Sequence, residues 1–343
     1  MATRNSAARP VDKRACRRCY DAPPMPKARV NGEVELCYEE FGQGEPLILI
    51  MGIGVQLVLW EVEFCERLAA RGFRVVRFDN RDVGHSTRLE ALGMPDMRAA
   101  LLARVLGRPA QPPYTLDDMA RDTFGLMDAL GMPSAHVVGL SLGGMVAQCM
   151  ALNAPERVRS LGLLMTSPGD LWCAVPSPSG LATLLNRPVG LSREGILEHM
   201  TNTWVGLGAS PHRTPRERLR ALSSLAYERG LNPKGFARQF AAVMAAPARS
   251  ERLRALRVPS VVIHGADDPL IPTLAGRVLG ARIPDARLHV VAGLGHDLGP
   301  SIWPFTIDAI DLNARRTPAP GARPMGLPRA LTQRAQHVGT ATP

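Results

Sequence analysis

Apolar residues in this chain fall into short unbroken runs, separated by stretches in which they recur with helical spacing. Leu47-Ile48-Leu49-Ile50, Arg74 to Phe78, Ala135 to Val138, Ser160 to Met165, Ser260 to His264 and Arg287 to Val291 are runs of the first kind. Their length and continuity predict strands covered on both faces. Glu61 to Arg71, Leu116 to Leu130, about Gly143 to Asn153, Leu270 to Ala281 and about Trp303 to Asn313 predict helices. Val34 to Phe41 predicts a further strand, closed by the turn Gly42-Gln43-Gly44. Strand and helix therefore alternate, the rhythm of an α/β fold with a mostly parallel sheet and helices on both faces. Between Ser167 and about Met244 no strand signal appears, which predicts a helical insertion between two halves of the sheet. The expected organisation is a core over 29–166 and 245–314, a helical cap over 167–244, and terminal segments 1–28 and 315–343 outside the fold.

The polar residues that interrupt this pattern stand where strands end. Gly139-Leu140-Ser141-Leu142-Gly143 is a G-x-S-x-G between a strand and a helix, the context that gives the motif meaning. A serine at so sharp a turn needs unusual backbone angles, and side chains two residues away on either side would collide with the elements it joins. The helix that follows turns its unpaired N–H groups towards an anion forming at the serine. Ser141 is thus a candidate nucleophile. Two later strands run into Gly265-Ala266-Asp267-Asp268 and Gly293-Leu294-Gly295-His296-Asp297. Loops at the carboxyl ends of parallel strands share one edge, so Ser141, Asp268 and His296 can meet although far apart in sequence. A turn aspartate or a loop histidine alone is unremarkable; all three in this order, each after a strand, are hard to obtain by accident.

Composition narrows the range of partners. The chain has 343 residues and a net charge of +10, but the charge is concentrated at the ends. Residues 1–28 hold seven Lys/Arg and two acids, residues 314–343 hold five Arg and no acid, and the body between carries 29 basic and 29 acidic residues. A neutral body argues against a nucleic-acid-binding face, which needs clustered cations on a folded surface. The Ala-, Pro-, Arg- and Thr-rich ends lack hydrophobic periodicity and are expected to be disordered. They offer a membrane surface only a weak, salt-sensitive attraction, not a stable anchor. No secretory h-region follows the first arginines, and the apolar stretch Pro46 to Trp60 is too short to span a bilayer, so a cytoplasmic location is expected. The six cysteines form no disulfide framework, and Cys16-x-x-Cys19 without a second pair is weak grounds for zinc.

These motifs resemble those of the α/β-hydrolase family, and more narrowly its bacterial esterase and lipase branch, which includes the aclacinomycin-methylesterase-like proteins and actinobacterial lipase/esterases. The resemblance rests on Leu49 to Gly54, Arg77 to Gly84, Gly139 to Gly144, His264 to Leu270 and Gly295-His296-Asp297, with Arg238 to Ala242 late in the insertion. It extends from about Val30 to Asn313. It implies Ser141 as nucleophile, His296 as general base and then acid, Asp268 as the group orienting His296, and the N–H groups of Leu142 and Ile53 as the oxyanion hole. The family pattern puts the acid three residues after Gly265, on Asp268 and not Asp267. Pro269 agrees, because it biases the residue before it towards an extended backbone. One departure is Met51-Gly52 where many relatives have His-Gly, which removes a side-chain hydrogen bond from the oxyanion loop.

The reaction so implied is hydrolysis of a small-molecule carboxylic ester through an acyl-enzyme, requiring neither metal nor organic cofactor. A thioester, a lactone or a carbon-carbon bond beside a ketone suits the same triad, and a non-catalytic ligand-binding protein on the same fold is the rival from another class. Leu57, Trp60, Trp172, Trp204 and Phe240 are the candidates for an apolar substrate pocket, with packing of the cap onto the body as the alternative.

Overall fold

A computed structural model describes residues 25–317 apart from 187 and 189, and places eight strands in one sheet of order β1-β2-β4-β3-β5-β6-β7-β8. The strands are β1 Lys27–Asn31, β2 Val34–Phe41, β3 Glu45–Ile50, β4 Phe73–Phe78, β5 Ala135–Leu140, β6 Val158–Leu164, β7 Ser260–Gly265 and β8 Arg287–Val291. β1 with β2 and β2 with β4 are antiparallel, and every later pairing is parallel. The helices are α1 Val62–Ala69, α2 Met97–Val105, α3 Leu116–Ala129, α4 Leu142–Asn153, α5 Pro178–Leu185, α6 Arg193–Leu207, α7 Arg216–Glu228, α8 Pro233–Ala245, α9 Ser250–Leu253, α10 Thr273–Arg282 and α11 Trp303–Ala314.

The unbroken apolar runs have the cause inferred for them. Successive side chains of a strand point to opposite faces, and both faces here are covered. Ile48, Ile50, Val137 and Val262 pack with α3, α4 and α10, whereas Leu47, Leu49, Val138 and Val261 pack with α1 and α11. α5, α6, α7 and α8 all lie between β6 and β7, within the stretch expected to be helical.

Three details differ from the sequence reading. The terminal segment assigned to 1–28 overlaps β1, whose Lys27 already pairs with Cys37. Its alternately exposed, charged positions hide the strand signal at a sheet edge. The helix expected from Leu270 starts instead at Thr273, because Asp268 Oδ1 accepts hydrogen bonds from the N–H groups of Leu270 and Ile271, and Pro272 follows. α2, with Leu101 and Leu102 exposed, has no counterpart in the apolar pattern of the sequence. Cys37, Cys65, Cys149 and Cys173 are free and buried; Cys16, Cys19 and the remaining terminal residues lie outside the described residues. No helix among the described residues is long and apolar enough to cross a membrane.

Candidate active site

β5, β6, β7 and β8 are neighbours and run parallel, so the turns leaving them for Ser141, Asp268 and His296 share one edge of the sheet. Ser141 links β5 to α4 with φ 55° and ψ −120°, a conformation that a residue bearing a side chain adopts only when its surroundings impose it. Here β6 and the residues just after it supply the constraint. Ser141 N–H donates to Leu164 O at 2.9 Å, and Thr166 Oγ1 donates to Ser141 O at 2.6 Å. The glycines leave space that nothing larger could use. A Cβ on Gly139 would collide with the backbone of Gly143, and one on Gly143 with the carbonyl of Ile50. Gly143→Ala is therefore expected to destabilise the fold by about 3 kcal/mol, the upper end for overpacking a closed site, measured as a lower midpoint of chemical denaturation.

Asp268 and His296 are in direct contact. His296 Nδ1–H donates to Asp268 Oδ2 at 2.7 Å, while Oδ1 accepts from Leu270 N and Ile271 N, each at 2.9 Å. An acceptor-only carboxylate assigns the proton to Nδ1 and leaves Nε2 as the ring nitrogen able to take one up. Asp267 is exposed and does something else: its Oδ2 accepts from Gly293 N at 2.8 Å, tying the two loops together. Behind Asp268 lies His264, whose Nε2–H donates to Ile271 O at 2.8 Å. Burial pushes its pKa below the ordinary histidine range, despite the nearby Asp268, which favours a neutral ring beside the acid.

Of the two N–H groups expected at the oxyanion hole, that of Leu142 directly follows Ser141 in the chain and that of Ile53 lies in the loop after β3. Leu142 opens α4, and the first N–H groups of a helix have no partner within it. Gly52 abuts the serine, since a Cβ built on it would lie 3.4 Å from Ser141 Cβ. Val55 N–H donates to Gly52 O at 3.2 Å, closing a turn around Ile53 and Gly54. In the trans Gly52–Ile53 peptide the N–H points opposite to that carbonyl, and so away from the interior of the turn.

The helical insertion touches all three loops. Gln239 of α8 accepts the Gly54 N–H at 2.7 Å, Ser177 Oγ donates to Pro269 O at 3.0 Å, and His296 N–H donates to Leu207 O at 2.8 Å. Next to the histidine, buried Asp297 accepts from Thr214 N at 2.7 Å and from Thr214 Oγ1 at 2.9 Å.

The aromatic candidates divide. Leu57 and Trp60 are fully enclosed, Leu57 beside Cys37, Val58 and Ala226, and Trp60 stacked on Phe64 at 5.6 Å. Leu57 packs the insertion onto the body and Trp60 packs within the body; neither offers accessible surface. Trp172 is 60% exposed, and Trp204 and Phe240 are half-buried. Phe236, not singled out in the sequence, packs against Gly54 instead. Thr166, Asn80 and Gln239 were also missed as supports of the site. Gln239 and Asn80 had a signal, through the Arg238 to Ala242 and Arg77 to Gly84 stretches; Thr166 had none.

A sheet of this order, with a serine elbow after β5, an aspartate after β7 and a histidine after β8, defines the α/β-hydrolase class. The chain belongs to that family: the family model for the alpha/beta hydrolase fold matches residues 45–299. Among curated relatives it is 31% identical to rhodomycin D methylesterase DauP of Streptomyces sp. strain C5, over 78% of this chain and 90% of that one. It is also 31% identical to a 2-hydroxy-6-oxononadienedioate/2-hydroxy-6-oxononatrienedioate hydrolase of Paraburkholderia phymatum, over 77% of this chain and 85% of that one. A solved structure of a hydrolase from Pseudomonas aeruginosa PA01 superposes with a TM-score of 0.62 at 27% identity, covering 86% of this chain and 99% of the other.

Proposed function

We propose that the protein is a serine hydrolase that cleaves a carboxylic ester through an acyl-enzyme, using Ser141, His296 and Asp268. The observation that carries this reading is the 2.7 Å His296–Asp268 pair on the same sheet edge as a serine held at φ 55°. His296 Nε2 takes the Ser141 proton as Oγ attacks the ester carbonyl, and Asp268 stabilises the resulting imidazolium. The N–H groups of Leu142 and Ile53 hold the tetrahedral oxyanion. The imidazolium then protonates the departing alcohol. Water enters, loses a proton to Nε2, attacks the acyl carbon and releases Ser141, which recovers its proton from His296. The insertion acts as a cap over this edge, with Trp204 and Phe240 as its half-buried aromatic surface and Trp172 at an exposed border.

The methylesterase name of one relative puts methyl esters first among the substrates to test. The 6-oxo hydrolase name of another supports a second reading, attack on a ketone with cleavage of the adjoining carbon-carbon bond by the same residues. The deciding experiment is a panel of p-nitrophenyl esters from acetate to palmitate, a carboxylic methyl ester and a 2-hydroxy-6-oxo-dienoate. Turnover of at least one ester, blocked by a fluorophosphonate that labels Ser141, is the expected result. Cleavage of the dienoate without any ester turnover would move the assignment to the second reading.

A further inference from the structure

The loop carrying Ile53 is held from three directions, and one of the holds comes from the insertion. Asn80 Nδ2 donates to Met51 O at 3.1 Å, fixing the peptide before Gly52. Val55 N–H donates to Gly52 O, fixing the peptide that contains Ile53 N–H. The peptide after Ile53 is fixed by Gln239, whose Oε1 accepts Gly54 N–H at 2.7 Å while its Nε2 donates to Arg81 O at 2.9 Å. Gln239 is fully buried, so both ends of its amide are used away from competing water. Gly54 has φ 65°, and the central peptide of a tight turn can flip unless something holds its N–H. Met51 is buried and its thioether side chain is at best a weak acceptor, so it cannot supply that hold.

The helix that brings Gln239 is itself anchored to the body. Arg238, the preceding residue, makes a two-pronged ion pair with Asp82, Nε to Oδ2 at 2.8 Å and Nη2 to Oδ1 at 2.6 Å, with both side chains fully buried. Asn232 caps the start of α8 and donates from Nδ2 to Asp82 O at 3.0 Å. One turn before Gln239, Phe236 lies against Gly54 so closely that a Cβ there would be 2.7 Å from its ring. α8 thus has a fixed seat on the loop after β4, and from that seat reaches the oxyanion loop.

We infer that Gln239 is a positioning residue for the oxyanion hole: by holding the Ile53–Gly54 peptide it keeps the turn closed by Val55 N–H on Gly52 O in one conformation, so that the Gly52–Ile53 peptide and its N–H stay in place, and it couples the cap to the catalytic loop. This rests on the ester-hydrolase reading above, in which Ile53 N–H receives the oxyanion. An acceptor placed on the next peptide acts through geometry and not through contact with substrate. Its loss should therefore weaken binding of the tetrahedral state more than binding of the planar ester.

The test compares the full-length wild type with Gln239→Met, which keeps length and apolar bulk but removes the acceptor and the donor. The expected result for Gln239→Met is a fall in kcat of about 10- to 100-fold, somewhat less than deletion of an oxyanion donor causes. KM should stay within about threefold. Affinity for a trifluoromethyl ketone, which forms a tetrahedral adduct on the serine, should fall in parallel with kcat. If Gln239→Met does not fold, Gln239→Asn, whose amide is one methylene short of Gly54, carries the same expectation. An active wild type combined with a folded variant of unchanged kcat, or with kcat and KM changed alike and no effect on ketone affinity, overturns the inference and leaves the ester-hydrolase reading intact. A wild type that turns over no ester and is not labelled at Ser141 by the fluorophosphonate overturns both.

Discussion

Replacing Ser141 by alanine is expected to lower ester turnover by about four to six orders of magnitude, because the members of a triad act as a unit and the remaining two cannot supply a nucleophile. The fold should survive. The constraints on residue 141 run through its main chain, with N–H to Leu164 O and carbonyl to Thr166 Oγ1, and alanine retains both. Circular dichroism and thermal unfolding of the variant should therefore match the wild type, while fluorophosphonate labelling disappears. A variant retaining more than about a tenth of wild-type turnover would remove Ser141 from the mechanism and, with it, the proposed acyl-enzyme.

The second large effect is expected at Asp268, and its neighbour is the control. Asp268→Asn should reduce turnover by about 10⁴, because an asparagine amide facing His296 Nδ1 stabilises the tautomer that carries the proton on Nε2, where a base is needed. The same change at Asp267 should cost less than about tenfold, since Asp267 is exposed and its Oδ2 holds Gly293 N at the rim of the loop. Both variants are to be measured with one ester after folding has been checked. A reversed ranking would hand the orienting role to Asp267, and two mild losses would place the acid elsewhere.

The difference between these adjacent aspartates shows how far the chain could be read without its structure. In the sequence, the family pattern of an acid three residues after Gly265, together with Pro269, singles out Asp268. The structure supplies the physical cause: Oδ1 is held by Leu270 N and Ile271 N, so Oδ2 is turned towards His296. The pocket shows the opposite case. Trp60 follows the oxyanion loop and looks available in sequence, yet it stacks on Phe64 in the body, while Phe236, 176 positions further on, reaches the loop.

By itself, the sequence determined the alternation of strand and helix, the helical insertion and the placing of serine, aspartate and histidine each after a strand. Each of these is written locally, as apolar runs covered on both faces, as helical periodicity, or as glycines beside a turn that tolerates no side chain. Only the tertiary structure decided that Phe236 and not Trp60 packs on Gly54, where the edge strand Lys27–Asn31 pairs, and that the loop after β3 is held by a glutamine 185 positions from Gly54. Those outcomes depend on contacts between distant elements. The residue type constrains whether such a contact can form; the packing of α8 against the loops after β3 and β4 decides that it does.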